Sequence, residues 1–117
     1  MRARPLPPAL VQAAELPAAN RDEVLAVTKG EQAALLIDAR APAFYRLGHI
    51  PGALNLSRKS FEEDYARLQR ELKPGLRLIV YCSGRECEDS HAVAAALLER
   101  GHPNVAVYTG GWEEWSE

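Results

Sequence analysis

The chain has 117 residues, 47% of them hydrophobic, and carries a formal net charge of -2 at pH 7. This length suits one domain with its own core, which we assign to residues 1–117. The net charge is close to neutral, and no basic stripe stands out in the sequence. Both observations argue against nucleic acid as a partner. No apolar run approaches the roughly 20 residues that a membrane-spanning helix needs, so no membrane span is predicted.

The first 20 residues are predicted to form an N-terminal arm or a first strand. An apolar stretch from Leu6 to Ala14 follows two arginines, as in a signal peptide, but prolines break it: Pro5, Pro7 and Pro8. A secretory leader needs an uninterrupted apolar segment. The chain also has only two cysteines, which suits a reducing compartment or a redox pair. We therefore expect a cytoplasmic protein.

The next part of the chain alternates helical and extended patterns. Asn20 is suited to cap a short helix that ends at Gly30. The continuous apolar run over 34–38 closes on Asp38 and predicts a buried parallel strand. A short helix, a turn and a short strand are predicted to follow, over 42–47, 48–52 and 53–56.

The second half repeats this alternation. Ser60 and Glu63 fit a capping box, and a helical spacing of apolar residues follows: Phe61, Tyr65, Leu68 and Leu72. A strand, a helix, a strand and a last helical turn are then predicted over 76–81, 92–98, 105–108 and from residue 110. Strands that alternate with helices predict parallel βαβ units, and hence an α/β fold.

Cys82 directly follows the apolar strand over 76–81 and precedes a helix. Ligands of open parallel sheets bind outside the carboxyl ends of the strands. The N-terminus of a helix stabilises a thiolate there, so Cys82 is suited to nucleophilic chemistry without a metal or a cofactor. Position alone also allows a buried structural cysteine. The flanking Ser83-Gly84 favours the nucleophile, because glycine lets the backbone curl around an anion.

Four stretches together resemble the signatures of the rhodanese family, in the family's order and at its separations. They are Asp38-Ala39-Arg40, Gly48-His49-Ile50-Pro51-Gly52-Ala53, Val80-Tyr81-Cys82-Ser83-Gly84, and Gly110-Gly111-Trp112 with Trp115. The resemblance implies a small open, mostly parallel sheet flanked by helices on both faces. It also implies a sulfurtransferase that carries sulfur as a persulfide on Cys82.

The implied donor is a small sulfur-containing anion such as thiosulfate or polysulfide, or a persulfide. The implied acceptor is a thiol, either small or on a partner protein. The predicted substrate-binding loop differs from the commonest family loop, because it is longer and contains a second cysteine. Its residues after Cys82 are Ser83, Gly84, Arg85, Glu86, Cys87, Glu88, Asp89 and Ser90.

Three loop residues are acidic, namely Glu86, Glu88 and Asp89. We favour Asp89 or Glu88 as a cap for the following helix. Acidic residues in the first turn of a helix also complement its dipole. A carboxylate beside a bound dianion is nevertheless unfavourable, which makes thiosulfate a weaker candidate than a neutral or protein-borne donor. The rhodanese family also resembles some phosphatases and arsenate reductases in fold. Those enzymes need an arginine at the position of Asp89, so the acid there argues against both activities.

Cys87 has three interpretations. It is an incidental loop thiol, a resolving thiol that accepts sulfur from Cys82 or forms a disulfide with it, or part of a metal site. Structural zinc needs four ligands, and only His91 is nearby, so no metal is predicted. The main alternative to the enzyme is a non-catalytic rhodanese-like binding module, or a thiol redox sensor that uses the Cys82/Cys87 pair.

Supporting roles are predicted for residues outside the loop. Asp38 and Arg40 are expected to make polar contacts at a strand end. His49 is expected to be structural within its turn, in line with the family resemblance. His91 is predicted to be an exposed helix residue, and His102 a surface residue of a loop.

Overall fold

The computed structural model describes residues 16–117, so most of the predicted N-terminal arm lies outside the described residues. The strands are β1 (Ala18–Ala19), β2 (Leu35–Asp38), β3 (Leu54–Asn55), β4 (Leu78–Tyr81) and β5 (Val105–Tyr108). The helices are α1 (Arg21–Thr28), α2 (Pro42–Leu47), α3 (Phe61–Arg67), α4 (Asp89–Glu99) and α5 (Gly111–Trp115). Each predicted strand and helix after residue 20 is present, with ends that differ by a few residues. Within residues 16–117, no helix is long and apolar enough to cross a membrane.

The strands form one open sheet in the order β1-β5-β4-β2-β3, and every pair is parallel. The register aligns Asp38 of β2 with Tyr81 of β4, and Tyr81 with Tyr108 of β5. The three central strands therefore end at one edge. The residues that follow them, Cys82 among them, meet at that edge.

Both faces of the sheet are buried, as the continuous apolar strand patterns predict. Leu78, Val80 and Cys82 face a core that α3 and α4 complete. Ile79 and Tyr81 face a second core with Val24 of α1, against which the two tryptophans of α5 pack. The predicted α/β fold with helices on both faces is confirmed.

The capping box predicted for Ser60 and Glu63 is wrong. Among the described residues, the Ser60 side chain makes no capping bond, and its hydroxyl donates instead to Asp64 Oδ2 at 3.0 Å. Asp64 is mostly buried and also accepts the Ser57 N–H at 2.9 Å. This carboxylate one residue further along α3 competes for the Ser60 hydroxyl, which spacing alone does not show.

His102 is buried, with 6% of its surface exposed, so its predicted surface position is wrong. The loop after α4 folds back onto α3 and brings His102 Nε2 to 2.9 Å from the Tyr65 hydroxyl. Nδ1 of His102 has no hydrogen-bond partner among residues 16–117. Burial lowers the pKa of His102 below its ordinary value of 6.5, because the charged imidazolium is desolvated.

A lowered pKa in the folded state makes stability depend on pH. The unfolded chain binds the His102 proton more readily, so the free energy of unfolding falls as the pH drops from about 6.5 through the folded pKa. We expect a steeper loss of stability between pH 7 and pH 5 in the natural protein than in His102→Gln. Urea unfolding at a series of pH values measures this, and parallel pH profiles of the two proteins would contradict it.

Candidate functional site

Cys82 begins the loop between β4 and α4, and only 1% of its surface is exposed. Its Sγ lies 3.2 Å from the hydroxyl oxygen of Ser90, which is buried in the first turn of α4. The first N–H groups of a helix lack intrahelical partners and carry a partial positive charge. The sulfur therefore lies where a hydroxyl and a helix N-terminus both favour negative charge.

Cys82 and Cys87 are joined by a disulfide in this structure, with their Cα atoms 6.3 Å apart. The loop between them is tight, because the Cys87 N–H donates to the Gly84 carbonyl at 3.1 Å. The two positions differ in burial: Cys82 belongs to the core, whereas Cys87 is half-buried and lines a surface cleft. The two sulfurs of the predicted pair are thus within bonding distance in the folded chain.

The start of α5 supports this loop from one side. The Trp112 N–H donates to the Cys82 carbonyl at 2.9 Å, and the Glu113 N–H donates to the Ser83 carbonyl at 2.8 Å. Gly111 permits this contact: its φ is +61°, and a Cβ there would lie 2.5 Å from the Cys82 carbonyl oxygen. Glycine tolerates both the left-handed backbone and the close approach.

A buried polar network lies beneath the loop. Asp38 and Arg40 form an ion pair, in which Arg40 Nη2 and Nε donate to the carboxylate at 2.8 and 3.1 Å. Arg40 Nη2 also donates to the Gly48 carbonyl at 2.6 Å. The Tyr81 hydroxyl donates to Asp38 at 2.8 Å and accepts the Ile50 N–H at 3.0 Å.

This network joins three of the four signature stretches at the sheet edge. Burial raises the pKa of Tyr81 above its ordinary value, so the phenol stays protonated and donates to Asp38. The Arg40 guanidinium lies over the Trp112 ring, 5.1 Å from its centroid, which extends the network to α5. Tyr81 is the neighbour of Cys82 in the chain, so the network determines where the loop starts. The polar contact predicted for Asp38 and Arg40 is present, and their supporting role at the site stays a prediction.

The cleft beside the loop is strongly acidic. It has a volume of about 710 Å³, and its lining includes Ser83, Gly84, Arg85 and four glutamates, namely Glu86, Glu113, Glu114 and Glu117. Among the described lining residues, Arg85 is the basic one. The Glu113 carboxylate occupies the space that a Cβ on Gly84 would take, directly against the loop. Three of the four acids come from α5 and its end, and they were not predicted because no local pattern places these residues beside the loop.

Glu88 and Asp89 do not cap α4 as predicted. Glu88 precedes α4 and Asp89 begins it, but neither side chain makes a capping hydrogen bond among the described residues. The predicted cap is therefore wrong, although Asp89 does lie in the first turn. Asp89 forms an ion pair with Arg58 at 3.3 Å, which reaches across from the segment after β3. The cleft lining contains Glu86 but neither Glu88 nor Asp89.

Two histidines lie near this edge. His49 stacks on the Tyr45 ring with 3.7 Å between ring centroids, and its Nδ1 is 2.8 Å from the Tyr45 carbonyl oxygen. These contacts suit the structural role predicted for its turn. His91 lies in the first turn of α4 but is half-buried rather than exposed, so that prediction is wrong. Its Nδ1 is buried without a hydrogen-bond partner among the described residues. Residues 16–117 contain no group of three His, Cys, Asp or Glu side chains that could hold a metal ion.

Fold and site together define an open parallel α/β domain with a cysteine in a strand-to-helix loop. The sequence model of the rhodanese-like domain matches residues 20–117, and the chain belongs to this family. The family resemblance carried by the four signature stretches is thereby confirmed.

Named relatives include sulfurtransferases. The chain is 29% identical to the thiosulfate:glutathione sulfurtransferase of Saccharomyces cerevisiae, with 76% of this chain and 69% of that protein covered. It is 34% identical to the thiosulfate sulfurtransferase of Gallus gallus over 58% of this chain, but it spans only 27% of that longer protein.

Solved structures share the fold. The rhodanese-like domain of an Anabaena protein is 25% identical, with a TM-score of 0.70 and coverage of 86% of this chain and 73% of that one. A human single-domain sulfurtransferase is 20% identical, with a TM-score of 0.65 and coverage of 86% and 95%. At that identity the human protein shows the common fold alone.

Proposed function

We propose that this protein is a sulfurtransferase that carries sulfane sulfur as a persulfide on Cys82. The observation that carries the proposal is the position of Cys82, whose sulfur lies at the carboxyl end of β4, beside the Ser90 hydroxyl and the N-terminus of α4. Sulfurtransferases among its relatives support this class of reaction. The retained Cys82 favours this function over that of a domain that only binds.

The reaction starts from the reduced pair of cysteines. The Cys82 thiolate attacks the sulfane sulfur of the donor, the sulfur–sulfur bond of the donor breaks, and the leaving group departs with the electron pair. The thiolate of an acceptor then attacks the outer sulfur of the persulfide and regenerates the Cys82 thiolate. The Ser90 hydroxyl and the α4 N-terminus stabilise the anionic sulfur at the start and end of this cycle.

The persulfide is detected directly by mass spectrometry. The reduced Cys87→Ser variant, incubated with polysulfide and freed of excess donor, is expected to gain one sulfur atom on the peptide that contains Cys82. Cys82→Ser is expected to gain none on the corresponding peptide. Equal labelling of Cys87→Ser and Cys82→Ser would refute the proposal.

The charge of the cleft points to a donor that is neutral or carried by a protein. Four glutamates and one arginine line the approach to the loop. Two unit charges 4 Å apart repel by about 1 kcal/mol in water and by about 4 kcal/mol at an effective dielectric constant near 20. Thiosulfate, a dianion, meets this repulsion, and a donor without net charge does not.

A reducing, cytoplasmic location suits the cycle, because the cysteine pair must be reduced before it accepts sulfur.

Glu113→Gln tests this selection, because the Glu113 carboxylate lies against the loop. We expect kcat/KM for thiosulfate, a dianion, to rise about three- to tenfold, and kcat/KM for an alkyl persulfide, which carries at most one negative charge, to rise less. Added salt is expected to raise the thiosulfate rate of the natural protein by screening the repulsion. Glu31→Gln, at an exposed glutamate that is not among the cleft residues, is the matched control. Equal responses of the two donors to Glu113→Gln would contradict a charge effect.

The disulfide favours a second candidate function, a thiol redox sensor. In that case the reduced protein accepts no sulfur from any donor, and oxidation merely interconverts the dithiol and the disulfide. The labelling experiment separates the two functions, since a sensor gives the disulfide but never the persulfide.

A further inference from the structure

We propose that Cys87 converts the Cys82 persulfide into the disulfide and thereby releases the carried sulfur as hydrosulfide. This inference rests on the proposed sulfurtransferase function, and it adds a second outcome for the same intermediate. Sulfur goes to an acceptor thiol when one arrives, and leaves as sulfide when none does. The domain would then reduce sulfane sulfur as well as transfer it.

Cys82 and Cys87 lie close enough for their sulfurs to bond. The Cα atoms of Cys82 and Cys87 are 6.3 Å apart, within the range that a disulfide needs without movement of the backbone. The Cys87 N–H bond to the Gly84 carbonyl holds the loop in the turn that brings the sulfurs together. Cys87 is therefore positioned to reach Sγ of Cys82, which is the inner sulfur of the persulfide.

The step balances in atoms and electrons. The Cys87 thiolate attacks Sγ of Cys82, a bond forms between the two Sγ atoms, and the bond from Cys82 Sγ to the outer sulfur breaks. The outer sulfur leaves with the electron pair as hydrosulfide and takes a proton to give hydrogen sulfide. The sulfane sulfur is reduced by two electrons, and the two cysteine sulfurs together supply them. Two equivalents of a monothiol, or one dithiol, then reduce the disulfide and restore both thiols.

The two cysteines are unequally buried, which suits reduction of the disulfide back to the two thiols. Cys82 is 1% exposed, whereas Cys87 is half-buried and lines the cleft. An incoming reductant thiolate therefore reaches Cys87 Sγ and expels the Cys82 thiolate. A stabilised thiolate leaves faster in such an exchange, and Cys82 is the sulfur beside Ser90 and α4. The same environment that activates Cys82 thus makes the disulfide easy to reopen.

Attack on the outer sulfur would give a different product. It would move the persulfide from Cys82 to Cys87 and form no bond between the two cysteines. The bond in the structure joins Sγ to Sγ, so Cys87 Sγ reaches the atom that is attacked in the proposed step.

A single-turnover experiment tests whether Cys87 releases the sulfur carried on Cys82. The reduced protein receives one equivalent of sulfur-34-labelled polysulfide, excess donor is removed, and no thiol is added. We expect labelled sulfide to appear in step with the Cys82–Cys87 disulfide, at a rate that does not depend on protein concentration. In Cys87→Ser and Cys87→Ala the persulfide is expected to persist, and sulfide release to slow at least about tenfold, because the internal attack is lost.

Several outcomes would overturn the inference while leaving the sulfurtransferase intact. These are equal sulfide release by the natural protein and Cys87→Ser, labelled sulfur on Cys87, or a release rate that rises in proportion to protein concentration. Far-UV circular dichroism of the Cys87 variants shows at the same time that they are folded. Failure of Cys87→Ser and Cys87→Ala to form any persulfide on Cys82 would instead refute the proposed function, and this inference with it.

Discussion

Asp38→Ala is expected to lower the free energy of unfolding by about 3–5 kcal/mol. Asp38 is fully buried and Arg40 is 6% exposed, so removal of the carboxylate leaves a charged guanidinium without its partner in the interior. The Tyr81 hydroxyl loses its acceptor in the same change. Burial removes a charge or a hydroxyl from water, and this costs free energy. A buried partner offsets that cost, which is why loss of the partner is destabilising. Urea unfolding at neutral pH measures the loss.

A surface ion pair provides the matched control. Glu62 pairs with Arg100, and their side chains are 46% and 38% exposed. Glu62→Ala is expected to cost at most about 1 kcal/mol, because water solvates both charges after the pair is broken. Asp38→Asn should fall between the two, since it removes the charge but keeps an oxygen that accepts hydrogen bonds. Equal losses for Asp38→Ala and Glu62→Ala would show that the buried network does not stabilise the sheet edge.

Gly111→Ala is expected to reduce both the stability of the domain and its sulfur transfer. An alanine at a φ of +61° costs roughly 1–2 kcal/mol from backbone sterics alone. The added Cβ would also lie 2.5 Å from the Cys82 carbonyl oxygen and 2.9 Å from the Gly84 nitrogen. These are backbone atoms, so the loop itself has to move, and overpacking of this kind typically adds about 1–3 kcal/mol. Because the loop begins at Cys82, we expect the rate of persulfide formation to fall with stability.

Gly75→Ala separates the two contributions. Gly75 has a φ of +80°, but no heavy atom of the described residues lies within 4 Å of a Cβ built there. This variant is expected to lose only the backbone contribution and to form the Cys82 persulfide at the natural rate. Similar losses of stability and activity in both variants would show that the contact between α5 and the loop is unimportant.

Local patterns were sufficient to predict the elements of the fold. Apolar runs that end in Asp38 and Tyr81 predicted β2 and β4, because a strand covered on both faces needs continuous apolar residues. The helix caps were less predictable. Asn20 does accept the Glu23 N–H, as predicted, whereas Ser60 donates to Asp64 instead. A helix cap depends on which of several nearby groups forms a hydrogen bond with the capping side chain. Sequence spacing alone does not show which of these hydrogen bonds forms.

The sequence by itself determined the family of the protein and predicted its reactive position. Four short stretches carried the family resemblance, and the place of Cys82 after a buried strand made it the predicted nucleophile. Only the tertiary structure decided what surrounds it: the bond to Cys87, the network that ends at Tyr81, and the glutamates that α5 brings to the cleft. The physical reason is that strand periodicity is a property of neighbouring residues, whereas charge and contacts at the site come from segments that meet only when the sheet forms.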